Sequence, residues 1–170
     1  MRTWSRRWPA GTEGIVRGVW FFFYGTLTGD HDNPVAQQVM PLMQGGQCAS
    51  LRGRLRAVRT GDGWYPVFQQ GAGRVVGRIY RSGRSFSARQ LRLLDAYENF
   101  DPRSSARSEY LRKALRVRIA SGGWVMAQVY VHNRAWHPGL PVIAGGDFAA
   151  FLRNRRLRAL GAGLEGARRR

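Results

Sequence analysis

A chain of 170 residues fits one domain with a real hydrophobic core and is too short for two comfortable ones. Its single cysteine, Cys48, excludes an internal disulfide framework. The net charge of +18 is almost all arginine, with Lys113 the only lysine; the arginines are spread over the whole chain, which argues for a compositional bias and against a dedicated nucleic-acid partner.

Residues 1–17 are polar, basic and aperiodic, and are expected to be an extension. Within them Ser5-Arg6-Arg7-Trp8 faintly resembles a twin-arginine export signal. No apolar segment of signal-peptide length follows, so a chance match and a cytoplasmic protein are expected. The run Val19-Trp20-Phe21-Phe22-Phe23-Tyr24 is too short to span a bilayer, which needs about 20 apolar residues. It reads as a strand buried on both faces, ended by the turn Tyr24-Gly25-Thr26-Leu27. Gly25 would let backbone amides approach a ligand closely.

Asn33 to Met43 reads as a helix, with Asn33 as N-cap and Pro34 in the first helical position, broken by Gly45-Gly46-Gln47. Cys48, next in the chain, is expected to be a buried or half-buried small apolar residue rather than a catalytic thiol. From Ala49 to Val58, Leu51, Gly53, Leu55 and Ala57 alternate with arginines, the pattern of a half-exposed strand. Gly61-Asp62-Gly63 marks a turn. Tyr65 to Phe68 forms a short extended piece, and Val75 to Tyr80 another strand, in which a backbone or a ligand could approach Gly77. Ser87 caps a helix expected over Phe86 to Tyr97. Tyr110 to Ala120 and Trp124 to His132 alternate on either side of Ser121-Gly122-Gly123 and form a hairpin. Phe148 to Leu160 has helical spacing. The fold class expected is α+β, a small mixed barrel or curled sheet with flanking helices. The domain would span residues 18–160, between the basic extension 1–17 and a basic tail, 161–170.

Acidic residues number only ten, so each can be weighed. Asp30, His31 and Asp32 share one polar loop with no second cluster, a solvated loop rather than a metal site. His132 and His137 belong to no zinc or triad pattern. Glu98 ends the stretch Leu93-Leu94-Asp95-Ala96-Tyr97-Glu98, and Asn99 after it tolerates the left-handed conformation that closes a helix. A carboxylate at a helix carboxyl end feels an unfavourable dipole that raises its pKa. That suits a proton shuttle; the other reading is an exposed helix-terminal glutamate.

Five segments occur in an order that resembles the gamma-glutamylcyclotransferase-like superfamily. They are Phe23-Tyr24-Gly25-Thr26-Leu27, Val76-Gly77-Arg78-Ile79-Tyr80, Leu94-Asp95-Ala96-Tyr97-Glu98, Tyr110-Leu111-Arg112 and Ile143-Ala144-Gly145-Gly146-Asp147-Phe148. The resemblance covers about residues 19 to 155 and implies a small mixed barrel with a pocket at its mouth. It also implies conversion of a gamma-glutamyl amine or peptide into 5-oxoproline, as in glutathione metabolism, without metal or cofactor. In that likeness the backbone of Tyr24, Gly25, Thr26 and Leu27 would hold the glutamyl end, Glu98 would be general acid and base, and Tyr110 would line the pocket or serve as a core aromatic. Asn99 departs from the glycine that many relatives carry there. The partner implied is a small gamma-glutamyl substrate, with no specific nucleic acid and no membrane, and no motif sets an oligomeric state. Two other functions fit the sequence. One is a noncatalytic domain that holds a metabolite or partner. The other is a polyanion binder acting through Arg153, Arg155, Arg156 and Arg168-Arg169-Arg170.

Overall fold

The aromatic run becomes a strand with both of its edges occupied. In chain order the elements are β1 (Trp20–Phe23), α1 (Pro34–Val39), β2 (Met43–Thr60), β3 (Gly63–Ser82), α2 (Ala88–Tyr97), β4 (Tyr110–Ile119), β5 (Trp124–His132) and α3 (Phe148–Arg155). They come from a computed structural model that describes residues 16–28 and 33–161. Residues 1–15, the loop with Asp30, His31 and Asp32, and residues 162–170 lie outside the described part. The strands close into a barrel in the order β1-β3-β2-β4-β5. β1 runs antiparallel to β3, with Phe22 opposite Ile79, and parallel to β5, with Phe21 opposite Gln128. This is the mixed α+β barrel expected from the sequence.

Alternation along β1 divides the core in two. Phe22 joins Leu51 and Leu55 of β2, Val75 and Ile79 of β3, Val117 of β4 and Val129 of β5 inside the barrel, where Phe148, Phe151 and Leu152 of α3 also pack. Phe21 and Phe23 face the other way, into a second cluster with Val39 of α1 and with Leu91 and Leu94 of α2. A strand buried on both faces needs apolar residues at every position, which explains the unbroken run. Gly77 permits the tight seam between β1 and β3: a Cβ there would sit 2.2 Å from the Phe23 carbonyl oxygen. The close approach at Gly77 is therefore that of backbone.

Local chemistry sets most element ends. Asn33 Oδ1 accepts from the amides of Val35 (2.9 Å) and Ala36 (3.2 Å), capping α1 as expected. Ser87 Oγ accepts from the Arg89 amide at 3.2 Å, while Gln90 Oε1 accepts from the Ser87 amide at 3.1 Å, closing a capping box on α2.

Four expectations need correction. α1 stops at Val39 and a single 3₁₀ turn over 40–42 replaces the run to Met43, because Pro41 cannot donate to a helix ladder. Gly45 and Gly46, at φ +106° and +90°, form a bulge inside β2 instead of a break. Cys48 is exposed, since inward placement of Ala49 and Leu51 turns it to the outer face. α3 ends at Arg155, with Arg156 left-handed at φ +54°, so residues 158–160 are free to pair with Trp64 at the start of β3.

Candidate active site

α2 delivers Glu98 through a defined exit. Asn99 adopts φ +48°, its amide donates to the Ala96 carbonyl at 3.1 Å, and the Phe100 amide donates to the Asp95 carbonyl at 2.8 Å. These two bonds are the Schellman closure, with asparagine in the position that glycine usually takes. The helix thus stops within one residue of Glu98, and the chain turns away so that the carboxylate faces a cavity.

That cavity, about 280 Å³, is lined by the whole Tyr24-Gly25-Thr26-Leu27 turn, by Glu98 and by Tyr110. The structure therefore brings together all six residues that the sequence singled out. Tyr65, Pro66, Tyr97, Asn99, Glu109, Tyr130 and Leu160 complete much of the wall. The sequence marked Tyr97 and Asn99 only as part of the helix end and the others not at all. Tyr65 and Pro66 looked like ordinary strand residues, and Leu160 reaches the wall only because α3 ends early.

The turn after β1 is closed by the Gly25 carbonyl, which accepts from the Thr28 amide (3.3 Å) and the Thr28 hydroxyl (3.0 Å). Gly25 is required by crowding, because a Cβ would lie 2.8 Å from Pro66 Cγ. Among the described residues, no backbone carbonyl accepts from the amides of Gly25, Thr26 or Leu27. Buried amides ordinarily find partners, so three consecutive amides at a cavity wall with no partner among the described residues suit a bound oxyanion or carboxylate.

Tyr97 ties the elements of the site to one another. Its hydroxyl accepts from Asn33 Nδ2 at 2.7 Å and shares a 2.8 Å hydrogen bond with the Thr26 hydroxyl. Asn33 therefore caps α1 with its oxygen and holds α2 with its nitrogen. Behind the cavity Tyr24 Oη donates to the Tyr130 carbonyl at 2.6 Å, and Tyr130 Oη donates to Asp95 Oδ1 at 2.7 Å. Arg112 completes the chain by donating from Nε to Oδ1 (2.8 Å) and from its terminal nitrogen to Oδ2 (3.3 Å) of the buried Asp95. The Arg of the Tyr110-Leu111-Arg112 segment thus anchors α2 to β4.

Electrostatically the cavity inverts the rest of the molecule. Among the described residues its lining includes Glu98 and Glu109 and no arginine, lysine or histidine. Glu98 is half-buried, and no donor among the described residues reaches its carboxylate. Burial, then the nearby Glu109 and Asp95, push its pKa up to about 8. Glu109 is held in place through Oε2, which accepts from Asn99 Nδ2 at 2.9 Å. Tyr110 is buried and rests edge-on against His132, with ring centroids 5.3 Å apart. Burial raises its hydroxyl pKa strongly, so it faces the cavity as a neutral phenol. It is at once a wall residue and a packed aromatic. Among the described residues no group of three or more His, Cys, Asp and Glu could hold a metal ion. No helix among them is long and apolar enough to cross a membrane.

A mixed five-stranded barrel whose mouth carries a glycine turn and a helix-terminal glutamate defines a recognisable class. Residues 21–150 match the family described as gamma-glutamyl cyclotransferase, AIG2-like, and the chain belongs to that family. Solved structures share the fold. A gamma-glutamyl cyclotransferase superposes with a TM-score of 0.52 at 15% identity, covering 74% of this chain and 69% of that one. A mouse (Mus musculus) AIG2-like protein gives 0.53 at 24%, over 74% and 86%. An Arabidopsis thaliana protein gives 0.53 at 20%, over 86% and 88%. No curated protein matches the chain in sequence.

Proposed function

We propose that the protein is a gamma-glutamyl cyclotransferase, converting a gamma-glutamyl amine or peptide to 5-oxoproline with release of the free amine. The observation that carries this reading is the shared cavity of Glu98 and the Tyr24-Gly25-Thr26-Leu27 turn. The amides of the turn hold the glutamyl end and stabilise the oxyanion that develops on the γ-carbonyl. Glu98, as carboxylate, takes a proton from the substrate's α-ammonium group. The freed amine attacks its own γ-carbonyl carbon and a five-membered ring closes; the bond from that carbon to the leaving nitrogen breaks as Glu98 returns the proton to it, and the ring nitrogen gives up its remaining extra proton to the departing amine or to solvent. Because the nucleophile is intramolecular, the enzyme mainly enforces a folded substrate and assists the proton transfers.

A carboxylate with a pKa of about 8 is well matched to an ammonium donor. The ionised form is the base, so kcat/KM is expected to climb with pH until Glu98 is fully ionised, levelling above about 8. The test is direct. Purified protein incubated with a panel of gamma-glutamyl amines, amino acids and peptides should yield 5-oxoproline by mass spectrometry. Glu98→Gln should lower the rate by about 10²- to 10⁴-fold. Folded protein that binds these compounds and turns over none of them would be a noncatalytic member of the fold.

A further inference from the structure

The barrel has a second cavity at the far end of β4 from Glu98, and its charge is the reverse of the first. Tyr110 at the start of β4 lines one cavity, and Arg118 near its end lines the other. At about 3.3 Å per residue those two positions are roughly 25 Å apart. The second cavity, about 550 Å³, opens where β2 and β4 pair over only two residues, Ala49 with Ile119 and Ser50 with Arg118. Ala49 and Leu51 of β2 point into the core, so alternation turns Cys48, Ser50 and Arg52 to the outer face. Register then gathers charge on that face. Arg52 stands directly opposite Arg74 of β3, and Arg118 lies between Ser50 and Trp124 of β5. Like charges directly opposite each other across strands destabilise a sheet. Among the described residues no Asp or Glu lines this cavity, and the guanidiniums of Arg52, Arg74 and Arg118 have no hydrogen bond or ion pair. Richness in arginine does not account for this, because other arginines are engaged: Arg56 donates to the Leu140 carbonyl, Arg78 to the Gly46 carbonyl and Arg112 to Asp95. Beside the free guanidiniums Trp124 is 49% exposed, with Arg116 lying over its ring at 4.5 Å.

Independently of the cyclotransferase reading, we infer that this cavity is a second binding site, for a small phosphorylated ligand of the nucleoside diphosphate class. Three guanidiniums match the charge of a terminal diphosphate, roughly −3 at neutral pH, and their planar forks suit phosphate oxygens. The exposed Trp124 ring gives a planar base a surface to pack on. The volume lies within the range of small-molecule sites. The arginines converge on one cavity from three strands, which suits a compact ligand, whereas a nucleic-acid strand is tracked by a charged groove along its length. A phosphate between Arg52 and Arg74 also removes the repulsion that the sheet otherwise bears.

Calorimetric titration of the full chain with ADP, adenosine and pyrophosphate, at about 0.1 M salt, tests it. ADP should bind at least about tenfold more tightly than adenosine, which lacks the phosphates, and than pyrophosphate, which lacks the base. Arg52→Gln combined with Arg74→Gln should weaken ADP binding by at least about tenfold. Without ligand the same variant should be no less heat-stable than the native protein, because it removes a like-charge pair. Arg89→Gln combined with Arg92→Gln takes the same charge from exposed positions of α2 and should leave ADP binding unchanged. Cys48, the only cysteine of the chain, stands in the cavity wall, so its alkylation by iodoacetamide should slow when ADP is bound. No ADP binding by native protein at millimolar concentration, an equal loss in the α2 variant, or a Cys48 that ADP leaves unprotected would overturn the inference. Equal affinity for adenosine or for pyrophosphate would overturn it too, the latter leaving a bare anion site. So would displacement of ADP by a single-stranded oligonucleotide of about ten nucleotides at lower nucleotide concentration, which would make the face a nucleic-acid surface. Every readout is binding at this cavity, so the cyclotransferase reading stands or falls separately on 5-oxoproline.

Discussion

Asp95 and Glu98 lie one turn apart on α2, and the molecule treats them in opposite ways. Asp95 is buried with every oxygen engaged, by the Arg112 guanidinium and the Tyr130 hydroxyl. Glu98 faces the cavity with no donor among the described residues, and its pKa rises to about 8. Residues three apart share a helix face, so neither helical phase nor residue type separates the two. What separates them is the neighbour: β4 presents Arg112 to one turn of the helix and Tyr110, with Glu109, to the next. A satisfied carboxylate holds elements together, and an unsatisfied one is held available for proton transfer.

The sharpest way to break this contrast is to remove the satisfied partner. Asp95→Ala leaves the Arg112 guanidinium in a pocket only 10% exposed and orphans the Tyr130 hydroxyl. Breaking a buried pair from one side costs about 3–5 kcal/mol. Thermal or urea unfolding should show a loss in that range, and a change under about 1 kcal/mol would mean that Arg112 finds another anion or water without penalty. Arg112→Met together with Asp95→Leu removes both charges and should recover most of the loss.

The opposite result is expected for Glu98. Its folded pKa lies above that of an unfolded glutamate, so its contribution favours folding below the unfolded value and is lost as pH rises through the folded one. Stability of the native protein should therefore fall between about pH 4.5 and pH 8 for this reason. Glu98→Gln removes the effect. The displacement bounds the gain at roughly 5 kcal/mol above pH 8, and water reaching a half-buried carboxylate reduces it to on the order of 2 kcal/mol. Equal unfolding free energies for native and variant protein at about pH 8.5 would show that Glu98 is solvated like a surface residue. A variant that is more stable and inactive would be the signature of a site strained for function.

The contrast was half legible in the sequence. β1 could be read because both-face burial demands an unbroken aromatic run. The α2 exit could be read because Asn99 follows Glu98, and left-handed tolerance is a property of one residue. The partner that quiets Asp95 could not. Arg112 stood out only within the Tyr110-Leu111-Arg112 segment, and its pairing with Asp95 follows from the placement of β4 against α2, which no residue type announces. Glu109 was invisible for the same reason, since its place in the cavity depends on Asn99 reaching across a ten-residue gap. Gly25 was noticed, but its reason was not: Pro66, far away in sequence, forbids a side chain there. Local backbone chemistry can be read from neighbours in the chain, whereas charge pairing and cavity walls depend on register between elements.

Asn99 joins the two halves of the comparison and gives the smallest predicted effect. Its left-handed backbone ends the helix behind Glu98, and its side chain holds Glu109. Replacement by alanine keeps the chain length but places a Cβ in a conformation that costs about 1 kcal/mol. Replacement by glycine relieves that cost and loses only the side-chain bond, so its stability should lie within about 0.5 kcal/mol of the native protein. If helix exit were all that mattered, Asn99→Gly would preserve both folding and turnover. If the tether matters as well, Asn99→Gly should match the native protein in unfolding free energy yet change kcat/KM, because Glu109 beside Glu98 is then free to move. Kinetics on one gamma-glutamyl amine, set beside unfolding curves, would separate the backbone role of this residue from the role of its amide.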